Sequence, residues 1–485
     1  MIHLTQKQLT RCASQSVIAL SLLWLSACAT TSSMTDTRAS FDANLPTTWQ
    51  NDTKPTSTSD TTDLSEWWSR FNDPQMEVLI AEALANNTDS RIALSNIRKA
   101  RAERGLEEAE LWPTLSGRTS ASSSNVHDRD THDSSSSQSY SAGLDASWEV
   151  DLFGQQQQYL KASDAELAAS VETFYQVQVS LAAEVANTYL DLCAYESRLA
   201  IVRDSLSMRE DTLRITQWQE DAGEGDSLST QQSISSVEQA RAQIPGLEQS
   251  VVETRNSLSI LTGRTPESFA TLATKAAIFP QTPEALAIGI PADTLRQRPD
   301  VRTAELQIEA ATANLSATER SRLPSLNLSG SIGVEALSSG DLLDPQRILS
   351  NIAAGLSAPI WDAGRISRNI EIQNEVLVQS YLSYESTVLN ALSEVENALS
   401  AIRKRTTQLA TLTRATTAAH QASELAQMQY EVGEIDLLTV LETQRTELVV
   451  KESRAAIESQ ALQAHVQLYK SLGGEWSTPG EISQL

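Results

Sequence analysis

The chain has 485 residues, of which 40% are hydrophobic and only 5% aromatic, and a formal net charge of −25. Its length permits roughly two or three domains, but so few large side chains point to thin packing layers and long helices rather than a compact mixed fold. So acidic a surface repels nucleic acid and anionic headgroups, which excludes nucleic-acid binding. It suits either a duct with a negative interior or a plain solvated exterior.

At the N-terminus Lys7 and Arg11 precede the apolar run Val17 to Leu25, and the sequence Leu25-Ser26-Ala27-Cys28 follows. The run is far short of the roughly 20 residues a helix needs to span a bilayer, so it reads as a removable leader. Its ending resembles the lipobox of bacterial lipoproteins, which implies cleavage before Cys28 and acylation of that residue. Ala29 follows, without the aspartate that resembles an inner-membrane retention signal. Loss of residues 1–27 takes the net charge to −27. With Cys12 in the leader and Cys28 acylated, Cys193 stands alone and reads as a small core residue on a helical stripe. No other stretch has the length of a transmembrane helix, so any membrane crossing requires a closed β-barrel. The Ser/Thr/Asp-rich stretch Thr30 to Asp63 reads as a tether.

The remainder is one unit written twice. Asp89-x-Arg91 returns as Asp300-x-Arg302, and Trp112-Pro113-Thr114-Leu115 as Leu323-Pro324-Ser325-Leu326, both 211 residues on. Phe153-Gly154, Glu184-Val185-x-Asn187 and Gly223-Glu224-x-Asp226 return 210 residues on, at Ala363-Gly364, Glu394-Val395-x-Asn397 and Gly433-Glu434-x-Asp436. Each copy opens with a helical pattern, from about Asp73 to Leu111 in the first, stopped by Pro113 or Pro324.

Beyond each proline the period becomes two. Tyr140, Ala142, Leu144, Ala146, Trp148 and Val150 alternate with Ser141, Gly143, Asp145, Ser147 and Glu149. Leu326 to Glu335 and Ile352 to Ala358 repeat the pattern. Leu115 to Ser124 is placed as a strand by symmetry. Ser124 to Gln138, with His127 and His132, reads as a solvated outer loop rather than a metal site, and Ser338 to Arg347 as a second polar loop. Four strands of roughly ten residues suit a tilted bilayer crossing, yet four cannot close, so oligomerisation is expected. Trp112, Trp148 and Trp361 fall at strand–helix junctions, either as an aromatic girdle or as junction packing.

Gln155 to Ala222 and Arg365 to Val432 are each 68 residues without glycine or proline. As continuous helices they would each be about 100 Å long. Their apolar residues recur at the three-to-four and seven spacing of helices packed side by side. Each ends in a glycine turn, Gly223-Glu224-Gly225-Asp226 or Gly433-Glu434-Ile435-Asp436, whose aspartate is a good N-cap for a returning helix. Pro245-Gly246 predicts a kink or break in the first returning helix. Arg264 to Ile290, the N-terminal segment and the tail are expected to form a belt of smaller elements.

Several motifs in this order resemble the outer membrane factor (TolC-like) family, in its NodT/OprM-type efflux lipoprotein branch. They are Trp67-Trp68-x-x-Phe71-x-Asp73-Pro74, Trp148-Glu149-Val150-Asp151-Leu152-Phe153-Gly154, Ile290-Pro291-Ala292-Asp293-x-Leu295-x-x-Arg298-Pro299-Asp300, Pro359-Ile360-Trp361-Asp362-x-Gly364 and Leu468-Tyr469-Lys470-x-Leu472-Gly473-Gly474-x-Trp476. The resemblance covers nearly the whole mature chain. It implies a mainly α fold with a membrane β-barrel: four strands per protomer in a trimeric twelve-stranded barrel, continued by a long α-helical periplasmic barrel, from two tandem structural repeats. It further implies a homotrimer in the outer membrane whose tips meet a periplasmic adaptor, served by an inner-membrane transporter of the resistance-nodulation-division type. Carried over, the tips are Gly223, Glu224, Gly225, Asp226, Ser227 and Leu228, and Gly433, Glu434, Ile435, Asp436, Leu437 and Leu438. Glu442 falls where relatives narrow the pore with acidic side chains, a sound basis for a constriction around a threefold axis. Tyr430 matches an aromatic there, while Ile435 and Thr439 stand where the best-known relative is charged.

The resulting domain plan is a signal peptide at 1–27, an anchored tether at 28–63 and a first repeat at 64–263, with its hairpin at about 114–150 and long helices at 155–262. An inter-repeat segment at 264–290 follows. The second repeat spans 291–474, with its hairpin at about 325–361 and long helices at 365–472, and a tail occupies 475–485. No metal-ligand spacing, nucleophile elbow or phosphate-binding loop occurs, so neither an enzyme nor a cofactor is expected. The expected function is the exit duct of a tripartite efflux system, passively conducting drugs or other small molecules. The alternatives are the duct of a type I protein secretion system and a non-channel coiled-coil envelope lipoprotein.

Overall fold

The computed structural model describes residues 66–127, 134–269, 279–283, 295–338 and 348–474, together with Phe41, Pro46 and 48–50. The leader, Cys28, most of the tether, His132, the tail and most of the 264–290 segment lie outside the described residues. The chain divides into two units, Met1–Thr48 and Trp49–Leu485, and the helices and strands from Trp67 onward all lie in the second.

A 3-10 turn at Trp67–Phe71 leads into α1 (Pro74–Asn86) and α2 (Thr88–Ala109). The single helix expected from Asp73 to Leu111 is thus two. Asn87 is extended, and its Oδ1 accepts the backbone N–H groups of Asp89 and Ser90, so it caps a new helix instead of continuing the old one.

Strands β1 (Thr114–His127) and β2 (Ser134–Val150) follow, then α3 (Gln155–Asp221) and α4 (Ser227–Leu261). The second copy supplies α5 (Pro299–Arg320), β3 (Ser325–Ala336), β4 (Ile348–Ser357), α6 (Arg365–Glu431) and α7 (Leu437–Ser471). Corresponding long helices have identical lengths, 67 residues for α3 and α6 and 35 for α4 and α7. Two expectations are corrected here. The outer loop expected at Ser124 to Gln138 is largely strand, because the ladder continues to His127↔Ser134 and cross-strand pairing satisfies a serine-rich backbone of low β-propensity. Of the kink or break expected at Pro245, the break does not occur: α4 runs through the proline, its buried Val237, Ala240, Leu247 and Val251 keeping one stripe in register on both sides.

Helix α3 is the axis of the packing, in contact with α1, α2, α4, α5 and α7. Its buried face, Leu181, Ala182, Val185, Ala186, Tyr189, Leu190 and Cys193 among others, meets the N-terminal turn and the end of α7. There Trp67, fully buried, stacks on Tyr469 with ring centroids 5.3 Å apart and takes edge contacts from Trp68 and Phe71. Tyr189 donates to Asp73, the residue that caps α1, at 2.9 Å. Cys193 is buried as expected, and burial pushes its thiol up to about 12.

The duplication extends to the bonds that close each copy. Asn87, at the start of α2, donates to the Leu261 carbonyl at the end of α4 at 2.9 Å. Arg298, at the start of α5, donates to the Ser471 carbonyl at the end of α7 at 2.6 Å. Among the described residues no helix is long and apolar enough to cross a membrane.

Candidate functional site

The four strands form one antiparallel sheet in the order β1-β2-β3-β4, with β1 and β4 as its edges. The register puts Leu115, Ala146, Gly330 and Ile352 on one rung, and Ser116, Asp145, Ser331 and Asn351 on the next. One face therefore carries Leu115, Leu144, Trp148, Leu326, Leu328, Ile332, Ile352 and Leu356, and the other is polar. Among the described residues the apolar face lacks cover: Ile352 is 92% exposed and Leu115 70%. On the polar face Arg118 reaches Asp145 at 3.3 Å, and Ser120 and Ser122 pair hydroxyls with Ser141 and Ser139. At the centre Gly143 faces Gly333, and a Cβ on Gly333 would lie 2.7 Å from the Ala142 carbonyl oxygen.

The three junction tryptophans behave differently. Trp112 and Trp361 stand exposed, whereas Trp148 is partly buried and donates its indole N–H to the Leu111 carbonyl at 3.0 Å.

At the opposite ends of α3 and α6 lie the glycine turns. Gly223 and Gly433 have φ of 77° and 78°, a left-handed conformation that side-chain-bearing residues rarely adopt. Neither glycine has an atom close to where a Cβ would stand, so conformation and not crowding selects the residue. Asp226 accepts the Ser229 N–H at 2.8 Å, and Asp436 accepts the N–H and hydroxyl of Thr439 at 2.9 and 2.6 Å. These bonds hold both carboxyls below the usual range. In the first tip Glu224, Gly225, Asp226, Ser227 and Leu228 are all exposed. The second is anchored: Leu437 and Tyr430 are buried with Ala426 and Val440 against Ile215 of α3, while Gly433, Glu434, Asp436 and Leu438 stay exposed. Tyr430 donates to Gln219 of α3 at 2.8 Å, which joins the two tips. Glu442 is exposed, with the Arg445 guanidinium 3.9 Å away.

Sequence reasoning missed a polar seam behind these tips. Gln444 donates to Thr212 at 2.9 Å, Thr212 to Gln427 at 3.2 Å, and the buried Glu447 meets His420 at 2.7 Å. The available signal was polar residues standing at stripe positions of α7. Among the described residues no group of His, Cys, Asp and Glu is arranged to hold a metal ion.

A family model described as "Outer membrane efflux protein" matches residues 79–264 and 290–474, one copy after the other. The chain belongs to this family. Its members are passive channels, not enzymes, and this chain is an outer-membrane efflux channel. The similarity extends to the pyoverdine export outer membrane protein OpmQ of Pseudomonas aeruginosa, 32% identical over 468 residues, or 94% of this chain and 96% of the relative. Of solved structures, the outer-membrane channel OprN superposes with a TM-score of 0.80 at 29% identity, covering 89% of this chain and 99% of that one. The open state of the Neisseria gonorrhoeae MtrE channel gives 0.78 at 26%, covering 89% and 96%. A coiled-coil lipoprotein without a channel is set aside by this membership and by the four-stranded sheet.

Proposed function

We propose that three copies join β4 of one to β1 of the next, closing a twelve-stranded barrel that α2 to α7 continue as a periplasmic tunnel. The observation that carries this is a sheet with two unpaired edges and one uncovered apolar face. In hydrocarbon an unpaired edge costs several kcal/mol for each unsatisfied polar group, so the sheet is incomplete alone. The polar face, with Arg118 and Asp145, lines the lumen. Trp112 and Trp361 sit at the periplasmic interface of the membrane. Residues 1–27 are removed, Cys28 is acylated and 28–63 tethers the chain to the outer membrane. The repeats occupy 64–263 and 291–474.

The exposed tip residues, Glu224 to Leu228 and Glu434 to Leu438, receive a periplasmic adaptor that links the duct to an inner-membrane pump of the resistance-nodulation-division type. Glu442 borders the constriction at that end, and Tyr430 sets its width by bonding the second hairpin to the first. The cargo is a small molecule, as the name of the pyoverdine-exporting relative suggests by analogy.

Purified protein reconstituted into planar bilayers tests the reading. Discrete conductance steps from a particle of three chains by native mass spectrometry are expected. A water-soluble monomer that needs no detergent and conducts nothing would overturn it. Crosslinkers placed at Gly223 or Gly433 should capture an adaptor, and Cys28→Ala should retain the three-chain particle while releasing the tether.

A further inference from the structure

We propose that in the three-chain assembly, on whose reading this rests, α2 of one protomer lies on α6 of the next as α5 lies on α3 within a chain. Arg98 of the partner subunit then meets Glu371, in a charge-swapped copy of an internal ion pair that sets the register and the direction of the joint. Twin helices are unequally covered within one chain. Helix α3 packs on α2 and α4 of its own copy and on α5 and α7 of the other, whereas among the described helices α6 packs closely on only α5 and α7 of its own copy. The places that α5 and α7 take on α3 are thus open on α6, and their twins are α2 and α4.

The internal joint shows what such a contact buries. Across it Lys161 pairs with Glu309 at 3.4 Å and Glu172 with Arg302 at 3.7 Å, while Ala162 and Val179 of α3 and Ala317 of α5 are buried. With the offset of 211 before each hairpin and 210 after it, Ala162 and Val179 become Ile372 and Leu389 on α6, and Ala317 becomes Leu106 on α2. All three are larger apolar residues, yet they stand exposed, Leu106 by 68% against 0% for Ala317. Exposed Leu382 is the twin of Glu172, and exposed Ile92 adjoins Arg91, the twin of Arg302, so these two fall at one level. On α6 the three apolar residues keep the heptad spacing of a single packing face, and Ile92 and Leu106 do so on α2. An apolar stripe left bare on each of two long helices marks a surface that another chain covers.

The charges name the occupant. Lys161 and Glu309 become Glu371 and Arg98 at the twin positions: both signs reverse, so the pair stays complementary. Arg98 is exposed and engages no carboxylate among the described residues. Glu371 meets Arg368, one turn back on its own helix, through Oε2 at 2.6 Å, which leaves Oε1 open. The other cations on this stretch of α2 are engaged, Lys99 by Glu103 at 3.4 Å and Arg104 by Asp164 at 2.8 Å. The reversal also disfavours wrong joints. If α5 of another chain lay on α6, Glu309 would face Glu371, and if α2 lay on α3, Arg98 would face Lys161, like charges in both cases. The swapped pair therefore distinguishes the joint between chains from the joint inside one.

Crosslinking of the full-length protein with a short bis-maleimide tests it. Arg98→Cys combined with Glu371→Cys should carry most chains into two- and three-chain bands on denaturing gels. Lys161→Cys with Glu309→Cys, the internal pair, and Arg98→Cys with Lys161→Cys, the wrong joint, should give no such ladder. A particle of three chains by native mass spectrometry without a ladder from positions 98 and 371 would overturn this joint and leave the assembly standing. A single chain in that measurement would remove both. Charge reversal supplies a second readout. Glu371→Lys or Arg98→Glu alone should lower the temperature at which the particle falls into single chains by about 5 °C, the worth of three exposed pairs, and the two together should restore most of it. Losses that merely add in the double variant would overturn the pairing.

Discussion

Replacing Arg298 should loosen the joint between the end of α7 and the start of α5 far more than it disturbs anything else. The guanidinium is 7% exposed, bidentate to Asp300 at 3.0 and 2.7 Å, and bonded to Glu394 at 2.8 Å and the Ser471 carbonyl at 2.6 Å. Burial alone would lower its pKa, yet its bonds to Asp300 and then Glu394 keep it raised. The charged, buried bond to Ser471 is worth about 1.5–3 kcal/mol. Asp300 and Glu394 are 22% and 47% exposed, so solvent screens those pairs and each adds about 0.5 kcal/mol. Arg298→Ala should thus cost roughly 3 kcal/mol, or about a hundredfold in the local opening equilibrium. Arg298→Lys, which keeps the charge but loses the fork, should recover less than half. Native-state proteolysis reads this directly, because cleavage in α5 and at 471–474 tracks the open population when reclosing is fast. A cleavage rate within threefold of wild type for Arg298→Ala would refute the accounting.

Gly333→Ala should abolish the folded, heat-modifiable species on cold gels. The added carbon meets backbone on β2, at 2.7 Å from Ala142 O and 3.0 Å from Gly143 Cα, and no side-chain movement relieves it. His465, buried on α7, has its pKa lowered by burial. The unfolded chain therefore takes up a proton before the folded one does, and stability is lost as pH falls below about 6.5. His465→Leu should remove that acid loss in thermal melts, and an unaltered pH profile would count against it. Cys193, buried with its thiol raised to about 12, should resist N-ethylmaleimide in the folded protein and react fully after denaturation, as mass spectrometry would report.

Much of the architecture is legible because its signals are local. The alternation from Tyr140 to Val150 sets strand and face together, and Gly223 and Gly433 mark turns that no other residue would make as readily. Readings failed where one preference overrode another. Pro245 loses a hydrogen bond, yet an apolar stripe continuous on both sides keeps α4 whole. The serines from 120 to 139 disfavour strand, yet pairing extends the first hairpin beyond the second. Asn87 was a readable cap within a run that otherwise looked helical throughout. The difference between the tips is already present as Leu437 against Ser227, but that Leu437 packs beside Ile215 depends on a neighbour more than 200 positions away. The bond from Tyr430 to Gln219 and the Glu447 seam likewise join distant segments, which periodicity within one helix cannot reveal.

The equal lengths of α3 and α6, and of α4 and α7, restrict how such a gene can change. Deleting a single codon within α3 would turn everything beyond it by about 100° and carry the apolar stripe off its neighbours. Whole heptads shift the stripe by only about 20° while moving the tip about 10 Å, and both copies must change by the same step for their turns to stay level. The reach of the duct is therefore quantised, and kin of different length are expected to differ by matched blocks of seven rather than by scattered single insertions.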